Sequence, residues 1–224
     1  MNWNFTARPA DQVIAYLASF AIAITIHEFM HAWTANRFGD HTARNLGRIT
    51  LNPVAHFDPM GFFGMVLIAL GFPFIGWGKP VPVNPGNFRG RWAQHRHQGM
   101  TLVALAGPLS NVAQALTMAI PYQLIVRNQW QVSDSVWMFI TVYIQVNILL
   151  AAFNMIPVFP LDGYRILNGI LPNFWRPILQ PLEQYGFIVL LLLLFVGGGY
   201  GDSIIGGIMN PVRDTLTRLV TMGL

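Results

Sequence analysis

The sequence predicts an all-α integral membrane bundle: about four transmembrane helices, one re-entrant hydrophobic segment at 60–77, and a short strand-like membrane-edge segment at 79–84. Three observations predict it. Hydrophobic residues make up 54% of the 224 and charged residues only 10%, where a soluble domain carries about 25% charge. Apolar runs recur near the length of ~20 residues that a spanning helix needs. The longest polar-leaning stretches, 36–59 and 78–99, are too short for an independent soluble domain of ordinary size.

The first run is Val13 to Ala35, opening on the uncharged stretch VIAYLASFAIAITI. It resembles a signal peptide in apolarity. Its flank holds Asp11 beside Arg8, however, and its far end carries His27, Glu28 and His31. It therefore reads as a retained helix. The second run, Met60 to Trp77, is short, glycine-rich and interrupted by Pro73. The third is Met100 to Val126, with Pro108 and Pro121 inside it, and the fourth is Val136 to Ile156. The fifth, Phe187 to Val196, is leucine-rich and can extend through glycines to Met209. After Pro211, Val212, Leu216, Leu219 and Val220 recur at helical spacing, which suits a short interfacial helix. The organisation is one polytopic domain over 1–224, with a core at about 13–165 and a C-terminal helix and tail at 183–224.

Composition excludes several classes. Aromatics at 13% and few charges exclude a disordered chain. Absence of cysteine excludes a disulfide framework and a thiolate metal site. The thirteen basic residues are spread among apolar segments, so they read as membrane-loop anchors and not as a nucleic-acid face.

His27-Glu28-Phe29-Met30-His31 is an H-E-x-x-H pentad. On a helix, positions i and i+4 share a face, so two imidazoles can hold one zinc ion. The intervening glutamate is placed to take a proton from the attacking water. The chain has only two glutamates, Glu28 and Glu183, and one occupies this slot. Ionisable groups in a spanning segment are costly and point to function. The structural alternative is an interfacial cluster bonded to itself. Catalytic zinc typically takes three protein ligands. Without cysteine the third must be His, Asp or Glu. Asp162 follows Pro157 and Pro160 in Asn154-Met-Ile-Pro-Val-Phe-Pro-Leu-Asp-Gly, where the backbone opens. Its carboxylate can turn back into the bundle. It fits equally well as the N-cap of the helix GYRILNGI.

These motifs together resemble the site-2 proteases, a family of intramembrane zinc metalloproteases. The pentad, Asn154…Leu161-Asp162-Gly163 and Ala106-Gly107-Pro108-Leu109-Ser110-Asn111 carry the resemblance. Gly47-Arg-Ile-Thr-Leu-Asn-Pro53 and Gly78-Lys-Pro-Val-Pro-Val-Asn84 are similar to a compact prokaryotic branch without PDZ or CBS domains. The resemblance implies hydrolysis of a peptide bond within or near a transmembrane segment of a membrane-protein substrate. It implies one zinc held by His27, His31 and Asp162, with Glu28 as base, and Asn111 and Asn154 near the substrate path. It places the protein in a prokaryotic plasma membrane, with the lipid bilayer and a transmembrane substrate as partners and no nucleic acid. Two rival classes are a divalent-metal transporter and a zinc-free membrane scaffold. The transporter lacks a second intramembrane carboxylate ladder, and the intact pentad with Asp162 argues against the scaffold.

One zinc joining His27, His31 and Asp162 requires an even number of crossings between them. A re-entrant 60–77 satisfies this. With an outside N-terminus, nine basic residues then lie inside: Arg37, Arg44, Arg48, Lys79, Arg89, Arg91, Arg96, Arg165 and Arg176. Arg8, Arg127, Arg213 and Arg218 lie outside. A spanning 60–77 erases this bias, so the positive-inside rule prefers the re-entrant form and an active site toward the cytoplasm.

Other polar groups receive local readings. Ala104, Gly107, Asn111 and Gln114 share one helix face, and Asn147, Ala151 and Asn154 another. Either face suits close packing with amides bonding across it, and Asn154 is also placed to steady a substrate carbonyl or oxyanion. The segment Lys79–Asn84 reads as a proline-limited strand edge that an unwound substrate can join, or as a plain loop. His56 and Asp58 read as turn chemistry, 91–97 as a headgroup anchor, and Asp40 and His41 as solvated loop residues.

Overall fold

The computed structural model describes residues 9–72, 74–195 and 204–221. Its elements run α1 (Ala10–Arg37), α2 (Thr42–Asn45), α3 (Pro59–Ala69), α4 (Arg91–Gln94), α5 (Arg96–Arg127), α6 (Asp134–Asn154), α7 (Asp162–Ile170), α8 (Arg176–Phe195) and α9 (Ile204–Thr221). Among the described residues no strand forms. The expected strand-like segment at 79–84 is irregular backbone: prolines 80 and 82 remove ladder donors, and side chains take Val81 N, Asn84 N and the carbonyls of Lys79 and Pro80.

Among the described residues, three helices are long and apolar enough to cross a membrane: α1, α5 and α6. Each starts a few residues before the predicted run; α1 and α5 also end beyond it, whereas α6 stops at Asn154, short of the expected Ile156. Pro108 and Pro121 stay inside α5. The apolar part of α8 that can be described is the shorter Glu183–Leu193, and the expected glycine extension toward Met209 lies partly in 196–203, outside the described residues. The C-terminal tail is longer than expected, since α9 starts before Pro211 and carries it within the helix.

Helix α3 has 11 residues and so rises about 16 Å, half of a ~30 Å hydrocarbon core. Asp58 caps it, accepting from Gly61 N at 2.8 Å. The returning chain at 74–77 then lies directly on α3. A Cβ at Gly61 would strike the carbonyl of Trp77, and one at Gly64 that of Ile75. The glycines of this run thus make a tight helix-and-return hairpin. Pro73 itself lies outside the described residues.

Small residues of α1 allow close helix approach. Ala15, Ser19 and Ala23 are buried on it. Tyr16, Phe20 and Ala23 pack with Met65 and Ala69 of α3 and with Val146 and Leu150 of α6. Helices α5, α6 and α9 join through Ala115, Ala119, Ile140, Ile144, Ile148 and Val220. The α6–α7 connection turns through a cis Phe159–Pro160 peptide. Gly163 lets the first turn of α7 sit on the carbonyls of Met155 and Ile156, where a Cβ would collide. That seating brings Asp162 back against α1.

Candidate metal centre

Two helices deliver three buried side chains to one point. The ring Nε2 atoms of His27 and His31 on α1 lie 3.0 Å apart. Each is 3.2 Å from Oδ2 of Asp162 on α7. All three residues are at most 7% exposed. Asp162 sits in the first turn of α7, while Leu161 occupies the cap position. Its carboxylate faces the imidazoles and makes no cap bond.

Tautomers decide what this cluster is. His31 Nδ1 lies 2.7 Å from the Val103 carbonyl, which only accepts, so that nitrogen carries the proton. For His27 the argument runs through two amides. Asn147 Nδ2 donates to the Tyr143 carbonyl at 3.0 Å, which leaves Asn147 Oδ1 as acceptor. That oxygen receives Asn111 Nδ2 at 2.9 Å. Asn111 Oδ1 therefore faces His27 Nδ1 as acceptor at 2.6 Å. Both imidazoles thus carry their protons on Nδ1 and present lone pairs from Nε2.

Three lone pairs then converge within 4.8 Å. Asp162 Oδ2 is buried without a hydrogen-bond partner. A proton can satisfy one pair of these atoms, whereas a cation satisfies all three at once. Tetrahedral zinc with bonds of about 2.0–2.1 Å spaces its ligands by about 3.3 Å, close to the separations found. The donor set of two imidazoles and one carboxylate also suits zinc. Among the described residues this is the one group of three metal-ligating side chains so placed. His95 and His97 belong to no such group.

Glu28 is buried beside the cluster, and its Oε2 accepts from Val81 N at 2.9 Å. Gly107 of α5 faces the two histidines; a Cβ there would collide with both imidazoles. Sequence reasoning placed Gly107 on a packing face, and the small-residue spacing was the available signal for its closer role.

The remaining candidates divide. Asn111 serves His27, as described. Asn154 is half-buried, and its Nδ2 donates to Leu150 O of its own helix at 3.0 Å. Asp40 is not a solvated loop residue: it is fully buried. Its Oδ1 accepts from Thr42 N, Thr42 Oγ1 and Asn87 Nδ2, and its Oδ2 from Asn84 N at 2.7 Å. This ties the end of α1 to the turn at 84–87. Burial would push its carboxyl up, but the bonds from Thr42, Asn87 and Asn84 outweigh that and hold it below the usual range. His41 is half-buried and its Nδ1 pairs with Asn36 Oδ1 at 2.8 Å. His56 is also buried, with Nε2 2.9 Å from the Thr50 carbonyl.

Comparison with known proteins agrees with this chemistry. The family model for peptidase family M50 matches residues 117–197. YwhC of Bacillus subtilis, provisionally named a zinc metalloprotease, is 36% identical over 222 residues, covering 96% of this chain and 95% of its own. Rip2 of Mycolicibacterium smegmatis, with the same kind of name, is 31% identical over 193 residues, or 84% of this chain and 71% of its own. MJ0611 of Methanocaldococcus jannaschii, also so named, is 28% identical over 173 residues, or 77% and 78%. No solved structure matches the chain. With a relative this similar along nearly its whole length, the chain belongs to peptidase family M50, the site-2 proteases, and is an intramembrane zinc metalloprotease.

Proposed function

We propose that His27, His31 and Asp162 hold the zinc and that Glu28 is the general base and acid for cleavage of a peptide bond within or near a substrate's transmembrane helix. The observation that carries this reading is the convergence of three buried lone pairs beside a buried carboxylate. Bound zinc supplies a Lewis acid that polarises the scissile carbonyl and acidifies water. The Val81 N–H occupies Glu28 Oε2. Oε1 therefore takes the proton of the attacking water and later hands it to the leaving amine. Asn111 keeps His27 in the tautomer that presents Nε2. Asn154, near the α6–α7 turn, lies on the substrate path and offers its carboxamide to a substrate carbonyl.

The substrate helix must unwind before its peptide bond is open to attack. The extended segment at 79–84 is placed to receive it. With Val81 N–H committed to Glu28, Val83 offers its backbone N–H and carbonyl to the incoming strand. The hairpin of α3 and its return is the re-entrant element, α8 with its continuation is the fourth span, and the active site opens toward the cytoplasm of a prokaryotic plasma membrane. Two crossings, α5 and α6, separate the pentad from Asp162, which suits that topology.

The test is metal content of the detergent-purified protein together with cleavage of a fluorogenic transmembrane-helix peptide. About one zinc per chain is expected in wild type and in Glu28→Gln, with cleavage lost in the variant. His31→Ala and Asp162→Ala should lose zinc. Zinc-dependent cleavage surviving in Glu28→Gln would refute the base.

A further inference from the structure

A single peptide group lies between a buried cation and the catalytic carboxylate. The Pro80–Val81 peptide points its N–H at Glu28 Oε2, 2.9 Å away. Its carbonyl accepts from Arg48 Nη1 at 3.2 Å. Arg48 Nη2 also donates to the Lys79 carbonyl. Arg48 is only 6% exposed.

His56 holds the guanidinium from another side. Its Nε2 donates to the Thr50 carbonyl, so its Nδ1 accepts from Arg48 Nη2 at 3.3 Å. The His56 carbonyl accepts from Lys79 N at 2.9 Å. The loop at 48–56 and the segment at 79–81 are thereby joined at one arginine.

A buried charge is costly unless it is paired. Among the described ion pairs no carboxylate touches Arg48. The nearby carboxylate is Glu28, whose charge acts on Arg48 and opposes the effect of burial, which lowers the guanidinium's hold on its proton. The intervening peptide dipole is aligned with this field, positive end to the carboxylate and negative end to the cation. Such chains of bonds strengthen one another in a low-dielectric interior. Prolines at 80 and 82 leave Val81 as the sole donor in this tripeptide. The segment therefore delivers one N–H, aimed by its own carbonyl.

We propose that Arg48 is a positioning residue for Glu28: it grips the carbonyls of Lys79 and Pro80 and so aims the Val81 N–H that orients the catalytic carboxylate. The proposal rests on the reading of Glu28 as base. A guanidinium spans two successive carbonyls with its fork of donors, whereas a lysine ammonium offers a point charge.

The test uses the full-length protein in detergent, with Arg48→Ala and Arg48→Lys. Cleavage is read with a fluorogenic transmembrane-helix peptide that the wild type cuts. About one zinc per chain should persist in both variants. The value of kcat should fall about 10- to 100-fold, the usual effect of removing a supporting group, with KM changing less than about twofold. Added ethylguanidinium should restore much of the loss in Arg48→Ala and none in Arg48→Lys. A second readout needs no substrate. Since the chain has two glutamates, carbon-13 glutamate in a Glu183→Gln background labels Glu28 alone. Its infrared carboxylate band should shift in Arg48→Ala and return with ethylguanidinium. An unmoved band, a kcat within about threefold of wild type, zinc lost in step with activity, or failure of both variants to fold would overturn the proposal. An active Glu28→Gln would end the base assignment instead. An inactive Glu28→Gln beside a fully active Arg48→Ala would sink the positioning role alone.

Discussion

Asn111 Oδ1 sits 2.6 Å from His27 Nδ1, joining α5 to α1 across 84 residues of sequence. The bond sets which nitrogen of His27 faces Asp162. It is rooted in a backbone carbonyl through Asn147. Groups that orient a metal-binding histidine usually account for 10- to 100-fold in metal affinity or activity, on the order of a tenth to a hundredth retained after removal.

Asn111→Leu should therefore weaken zinc binding by about 10- to 100-fold. Competition with a chelator of known affinity measures it. Asn154→Ala should leave zinc affinity unchanged, because its amide bonds to Leu150 O on its own helix; any effect should fall on KM for a peptide substrate. Equal zinc affinity in wild type and Asn111→Leu would remove Asn111 from the metal centre.

Gly107→Ala sets helix propensity against site geometry. Alanine favours a helix interior over glycine by about 1 kcal/mol. Here, though, the added Cβ meets the imidazoles of His31 and His27. The variant should stay helical by circular dichroism and lose most of its zinc and activity. Full zinc occupancy in Gly107→Ala would show that the rings can shift without cost.

Much of this was legible in the sequence, and the boundary has a physical cause. The pentad could be read because i, i+4 spacing is local to one helix. Glycines and a proline in 60–77 announced a broken segment, since close backbone approach leaves a compositional trace. Asp162 was ambiguous from its neighbours, because a helix-start carboxylate serves as a cap far more often than as a ligand. The bond from Asn111 to His27 depends on how two long helices rotate against each other, and no local pattern records that. Arg48 and Asp40 lie in loops, where charge reads as solvated. Only the tertiary fold buries them among carbonyls and amides.

Asp40 should mark the acid edge of stability. Its carboxylate accepts four hydrogen bonds and titrates below the usual range in the folded protein. The unfolded value is about 3.9. Its contribution is therefore complete above that pH and lost as pH falls through the lower folded value. Asp40→Asn should cost about 1–3 kcal/mol at neutral pH by leaving buried donors poorly matched. It should also flatten the loss of stability on acidification. Thermal unfolding of both proteins as a function of pH checks the sign. An unchanged acid slope would mean that other carboxylates set that edge.

Zinc removal should destabilise the fold in a way that depends on Asp162. Without a cation, three buried acceptors face one another, and lone pairs at 3.0–3.2 Å repel. A bound ligand at about 100 times its dissociation constant adds about 2.7 kcal/mol of stability, so chelation should lower the unfolding temperature measurably. Asp162→Asn inverts the balance. It replaces a carboxylate with an amide whose N–H groups can donate to the two Nε2 lone pairs. The apo form of this variant should then be more stable than apo wild type at a pH high enough that no spare proton bridges the cluster. It should also gain little from added zinc. Thermal unfolding of both proteins, each with and without chelator, reads both effects. An apo Asp162→Asn protein less stable than apo wild type would mean that the cluster is comfortable without a cation, and the lone-pair argument for the metal centre would fail.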